Sequence, residues 1–107
     1  MEKIEKRGQM TAQDYENYTQ NELDVIATAA NAAIENAEDN CFNFEDLVLN
    51  DISPAYGVVV RYGVNGLKGV VGSLCHKGVF NKQDDCYWDF QISDRFNDLV
   101  CRVLNEY

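Results

Sequence analysis

The chain has 107 residues, 46% of them hydrophobic, and its 18 acidic and 9 basic side chains give a formal net charge of -9. That length supports one globular domain with a single core and leaves no room for a second. No apolar run approaches the roughly 20 residues that cross a bilayer, and the opening MEKIEKRGQ lacks the apolar stretch of a secretion signal, so no membrane association and a cytoplasmic location are expected.

Residues 1–18 are polar and weakly patterned, with Tyr15 and Tyr18 the large apolar side chains after Met10, and read as a tail or loose first turn ahead of a domain at 19–107. Thr19 to Ala37 is the strongest helix. Leu23, Ile26, Ala27, Ala30, Ile34 and Ala37 recur at helical spacing among good helix formers, and Thr19 with Glu22 has the form of a capping box. The alanines on its face permit close approach of another helix, within the monomer or across a homodimer seam.

After the acidic break at 38–40, NFEDLVLNDI predicts a shorter helix capped by Asn43, with Phe44, Leu47, Val48 and Ile52 facing inward. Pro54 lacks an amide donor and restricts the residue before it, so the chain is expected to turn there instead of continuing as helix. Val58, Val59 and Val60 then favour an extended conformation.

Leu67, Val70, Val71 and Leu74 fall at i, i+3, i+4 and i+7 and predict a helix over about 65–77, with Asn65 as N-cap and Gly78 as a left-handed stop. Its other face carries Lys68, Gly69, Gly72, Ser73, His76 and Lys77. A hairpin follows over about 79–92: Val79 and Phe80 open a strand, residues 81–85 are turn material, and Cys86 to Ile92 alternates as the returning strand. From Ser93, a good N-cap, Phe96, Leu99, Val100, Val103, Leu104 and Tyr107 define a closing amphipathic helix.

Little here points to catalysis. There is one histidine, no HExxH, GxSxG or phosphate loop, and no clustered set of ligands. Cys41, Cys75, Cys86 and Cys101 lack the paired spacing of a zinc site and read as reduced, partly buried thiols. No enzyme, cofactor or metal is expected.

The charge is uneven: residues 1–51 hold twelve acids and three bases, residues 52–83 four bases and no acid, and residues 84–107 six acids and two bases. The basic block therefore coincides with the helix at 65–77 and its flanks.

In the order of its elements, and above all in LKGVVGSLCHKGVF, the chain resembles the winged helix-turn-helix family of small prokaryotic or phage regulators. The resemblance spans roughly residues 20 to 105 and rests most clearly on Leu74, Lys77, Gly78, Val79 and Phe80, while ISDRFNDLV is similar to the family's closing helix. It implies an α+β fold of three core helices, a β-hairpin wing and a C-terminal helix. By function it implies a regulator whose third helix enters the major groove of double-stranded DNA while the wing touches the backbone. Carried over by position, Lys68, Ser73 and His76 would lie at or beside the bases and Arg61, Lys77 and Lys82 on phosphates, with Asn65, Gly69 and Gly72 on the same contacting segment.

The acidic remainder supports a second reading. A duplex carries about one charge per 1.7 Å and repels carboxylates, so the chain could instead meet a basic protein partner through acids such as Glu22, Asp24 and Glu35, imitating the charge of nucleic acid.

Overall fold

A computed structural model of the protein describes residues 15–36, 40–83 and 88–107. In chain order its elements are α1 (Gln20–Asn36), β1 (Cys41–Phe42), α2 (Pro54–His76), β2 (Phe80–Lys82), β3 (Phe90–Ile92) and α3 (Asn97–Glu106), with 3-10 turns at Tyr15–Asn17, Phe44–Leu47 and Asp94–Phe96. The fold is α+β: among the described residues three helices pack with one antiparallel sheet of order β1-β3-β2.

Helix α1 starts on the expected capping box. The Thr19 N–H donates to Glu22 Oε1 at 2.9 Å and the Glu22 N–H to Thr19 Oγ1 at 3.1 Å. From Glu22 to Ala30 every side chain is buried, because α1 is the central rod against which α2, α3 and β1 all pack. Its inward stripe then passes through Ala33, which leaves Ile34 66% exposed and not in the core as expected. Ala37, predicted on the same stripe, lies outside the described residues. Just ahead of the helix, Tyr18 is buried and Tyr15 packs against the core.

The expected second helix over NFEDLVLNDI does not form. Phe44–Leu47 makes a single 3-10 turn, started by the Asn43 N–H donating to Asp46 Oδ2 at 2.9 Å. Leu47 is fully buried, but Ile52, predicted to face inward, is 85% exposed. Instead the preceding Cys41 and Phe42 form β1 and pair with Gln91 and Phe90 of β3. A two-residue strand is too short to show alternation. What holds it is burial: the Phe42 ring lies 4.9 Å from that of Phe80 and 5.4 Å from that of Phe90.

Pro54 opens a helix where the sequence predicts a turn. At the first helical position its missing donor has no intrahelical partner to lose and its φ is already suitable. Ser53 caps this end, its Oγ accepting the Tyr56 N–H at 3.4 Å. The Ala55 N–H donates to Thr28 Oγ1 of α1 at 2.9 Å, tying the new helix to the central rod. Val58 to Val60, expected extended, are helical, because burying Ala55 and Val58 outweighs the weak β preference of valine.

At Gly63 the backbone leaves helical geometry (φ 81°, ψ 175°), which divides α2 into arms at 54–62 and 64–76. Asn65 therefore lies inside the second arm and is not its cap. That arm buries Leu67, Val71 and Leu74 as its spacing predicts, with Val70 at the margin. It ends in a Schellman motif: the Val79 N–H donates to the Leu74 carbonyl and the Gly78 N–H to the Cys75 carbonyl, both at 3.0 Å, with Gly78 at φ 88°. A Cβ on Gly78 would meet nothing closer than the Phe96 ring at 3.7 Å. Gly78→Ala should therefore cost about 1–2 kcal/mol from left-handed strain alone, measurable by urea unfolding; a neutral substitution would mean that the helix end relaxes freely.

In the hairpin, Asn81 and Lys82, expected in the turn, are paired with Gln91 and Phe90. Of the remaining turn residues, Gln83 donates its N–H to the Asp89 carbonyl at 2.9 Å, while Asp84 and Asp85, with Cys86 and Tyr87 of the predicted returning strand, lie outside the described residues. The closing helix forms with Phe96, Leu99 and Val103 buried as expected, but Ser93, whose Oγ accepts the Arg95 N–H at 3.2 Å, caps the 3-10 turn Asp94–Phe96 ahead of it, and Tyr107, expected on its apolar stripe, lies past its end and is 48% exposed. Among the described residues no helix is long and apolar enough to cross a membrane.

Candidate functional site

The second arm of α2 has two faces. Opposite Leu67, Val71 and Leu74 it exposes Asn65, Lys68, Gly69, Gly72 and His76, which recur every three or four residues and so form one outward stripe. Lys82 projects from the neighbouring strand β2 and is also exposed. Six of the nine residues that the sequence marks as contacting thus share this side of the molecule. The cation of Lys68 lies 6.0 Å from the centre of the Phe44 ring, and among the described residues neither Lys68 nor Lys82 has an acidic partner.

Arg61, Ser73 and Lys77 face the start of α1. Arg61 Nη2 donates to Asn21 Oδ1 at 2.9 Å and lies 3.5 Å from Asp24 Oδ2. Ser73 Oγ donates to Glu22 Oε2 at 2.5 Å, and Lys77 Nζ donates to Glu22 Oε1 at 2.9 Å and to the Asn17 carbonyl at 3.3 Å. The Lys77 ammonium also sits over the Tyr18 ring, 4.8 Å from its centre.

Glu22 and Asp24, candidates for a partner-facing acidic surface, are themselves only 4% and 9% exposed, whereas Glu35 is open to solvent. Burial alone would raise the Glu22 carboxyl; the bonds from Ser73, Lys77 and the Thr19 amide, with the Lys77 charge, hold it below the usual glutamate value. Asp24 accepts from Gln20 Nε2 at 3.0 Å and from the Tyr107 hydroxyl at 2.5 Å, and burial followed by that carboxylate pushes the Tyr107 phenol well above its ordinary range.

The basic block of the sequence is therefore split. Two of its cations, Arg61 and Lys77, fasten α2 to α1, and two, Lys68 and Lys82, flank the outward stripe. Sequence reasoning could not separate them, because only the packing of α1 decides which meet carboxylates.

Gly69 and Gly72 stand out on the exposed stripe. A Cβ built on either meets nothing within 4 Å, so no internal contact calls for glycine at these helical positions. Of the cysteines, Cys41 is buried, Cys75 half-buried and Cys101 exposed, all as free thiols, while Cys86 is outside the described residues. Among the described residues no three His, Cys, Asp or Glu side chains gather as metal ligands would. Compared with family models, curated proteins and solved structures, the chain matches none.

Proposed function

We propose that the chain is a winged helix-turn-helix DNA-binding protein whose second α2 arm docks in the major groove and whose β2–β3 hairpin is the wing. The order of elements supports this reading: a first helix, a short strand, two helical arms meeting at Gly63, then a hairpin whose returning strand pairs with β1. The observation that carries it is the pair Gly69 and Gly72. Each costs about 1 kcal/mol of helix stability relative to alanine, and with open space where a side chain would go, close approach of an outside surface is the physical reason for them. Lys68 and Lys82 beside them suit that surface to phosphate.

Salt dependence gives the test. Two phosphate-contacting lysines predict a log-log slope of about -2, so affinity for a mixed duplex should fall about tenfold between roughly 50 and 200 mM salt. If Arg61 and Lys77 also left their carboxylates for DNA, the slope would approach about -4 and the loss would exceed a hundredfold. Lys68→Glu with Lys82→Glu should abolish binding in fluorescence polarisation with the fold unchanged. Gly69→Ala with Gly72→Ala should raise stability while weakening binding. No binding of the native protein at the lower salt would overturn the proposal.

The second reading, a protein-binding winged helix that meets a basic partner, is favoured by the net charge of -9, which the pairing of Arg61 and Lys77 with Asp24 and Glu22 leaves unchanged. Glu22 and Asp24 are buried and cannot serve it; Glu35, Asp51 and Asp98 are exposed. Capture of a basic partner that survives neutralising these three would count against it.

A further inference from the structure

A groove of about 450 Å³ runs between the second arm of α2 and the β2–β3 hairpin. Its lining is largely apolar, with Phe44 from the 3-10 turn, Val71 and Cys75 from α2 and Phe90 from β3. Lys68 borders it from the helix and Lys82 from the strand. The Lys82 charge is close enough to Cys75 to offset part of the rise that burial imposes on that thiol.

One carboxylate, Asp89, also borders the groove; its Oδ2 accepts the Phe44 N–H at 2.9 Å, and its own N–H donates to Asn43 Oδ1 at 2.8 Å. Meanwhile Arg61, Lys77 and Arg102 have found Asp24, Glu22 and Glu16. Among the described residues neither Lys68 nor Lys82 is paired with a carboxylate, and two lysines against the single Asp89 beside one largely apolar groove are a complementary setting for an anion with an apolar body.

We propose that this groove binds a small amphipathic anion, an aromatic or branched aliphatic carboxylate whose apolar part lies on Phe44, Val71 and Phe90 and whose charge is held by Lys68 and Lys82. The volume lies within the range of small-molecule sites, about 300–1,000 Å³, and the combination of apolar lining with a few polar groups is what such sites use for affinity and orientation. The inference goes beyond nucleic-acid binding and stands without it. If both hold, ligand and duplex compete for the same two lysines.

The test uses the whole chain, labelled with nitrogen-15, and no DNA, so that its outcome is independent of duplex binding. Titration with 2-naphthoate should give saturable shifts centred on the amides of Val71, Gly72, Cys75 and Phe90. The uncharged 2-naphthalenemethanol should bind about tenfold more weakly, the fold-change expected for two partly exposed charge contacts. In Lys68→Gln with Lys82→Gln, both solvent-facing and so compatible with an unchanged fold, acid and alcohol should bind alike. Shifts centred elsewhere, equal affinity of the native protein for the two probes, or no saturable shift up to about 5 mM would overturn the proposal.

Discussion

Phe42→Ala should cost about 3–5 kcal/mol, the range for deleting a fully buried phenylalanine, and should destabilise the protein more than any single change in the polar network around Glu22. Phe42 has no exposed surface and its ring touches those of Phe80 and Phe90, so one side chain joins all three strands. It is also half of β1, whose ladder with β3 is two residues long. Removing the ring opens a cavity and at the same time loosens β1 from the edge of β3. Small domains have only about 5–15 kcal/mol in total, and at this size each lost kcal/mol lowers Tm by roughly 4–8 °C, so the variant should melt some 15 °C or more below the native protein. Circular dichroism during urea and thermal unfolding reads this directly. Phe42→Leu, which keeps most of the volume, should cost less than half as much; equal losses would mean that the aromatic contacts, and not the cavity, set the energy.

Glu22→Ala should be next, at about 2–3 kcal/mol, because it removes the return half of a capping box and leaves Ser73 and Lys77 without their acceptor. The figure lies below that for breaking a fully buried ion pair, about 3–5 kcal/mol, since the Lys77 side chain retains 35% exposure and recovers water. Glu22→Gln keeps the shape and should cost about half as much.

The pH dependence has a definite sign. Glu22 is held below its ordinary value of 4.5 in the folded protein, so the folded state binds its proton less readily than the unfolded chain. Its contribution is complete above the unfolded value and is lost as pH falls through the lower folded value. Native stability should therefore decline from about pH 4.5 downward, and the difference between native and Glu22→Gln should shrink over the same interval. A difference independent of pH would show that the carboxylate charge is immaterial and that only the hydrogen bonds count.

The two ends of this network show how far local sequence reaches. Thr19 and Glu22 announce a helix start, and the bonds form as written, because a capping box involves residues three apart on one chain segment. The same Glu22 also binds Ser73 and Lys77, more than fifty residues away, and nothing near Glu22 signals that. The spacing of their own helix turns Ser73 and Lys77 away from its apolar stripe, which predicts an outward position. They do lie off the stripe, but α1 covers that flank too.

The missing second helix has a related cause. NFEDLVLNDI carries helical spacing, yet only four of its residues coil, because Phe42 just before it is drawn into the ring cluster and the chain must then reach Ser53 in time to start α2. Pro54 is ambiguous in isolation: the absent donor that ends one helix suits the first position of another. Ser53 before it is the signal that decides between them.

By itself the sequence determined α1 from its capping box and alanine-rich stripe, the second arm of α2 from Leu67, Val71 and Leu74, its stop at Gly78, the start of the hairpin and the closing helix. Each of these is governed by spacing and chain-terminus chemistry over a few residues, where neighbours in sequence are neighbours in space. Only the tertiary structure decided that Cys41 and Phe42 form the third strand, that Val58 to Val60 are helical, and that Arg61 and Lys77 are occupied by Asp24 and Glu22 while Lys68 and Lys82 remain on the open side. Those outcomes depend on which surfaces meet across the core, and burial and charge pairing act between residues whose proximity the linear order does not encode.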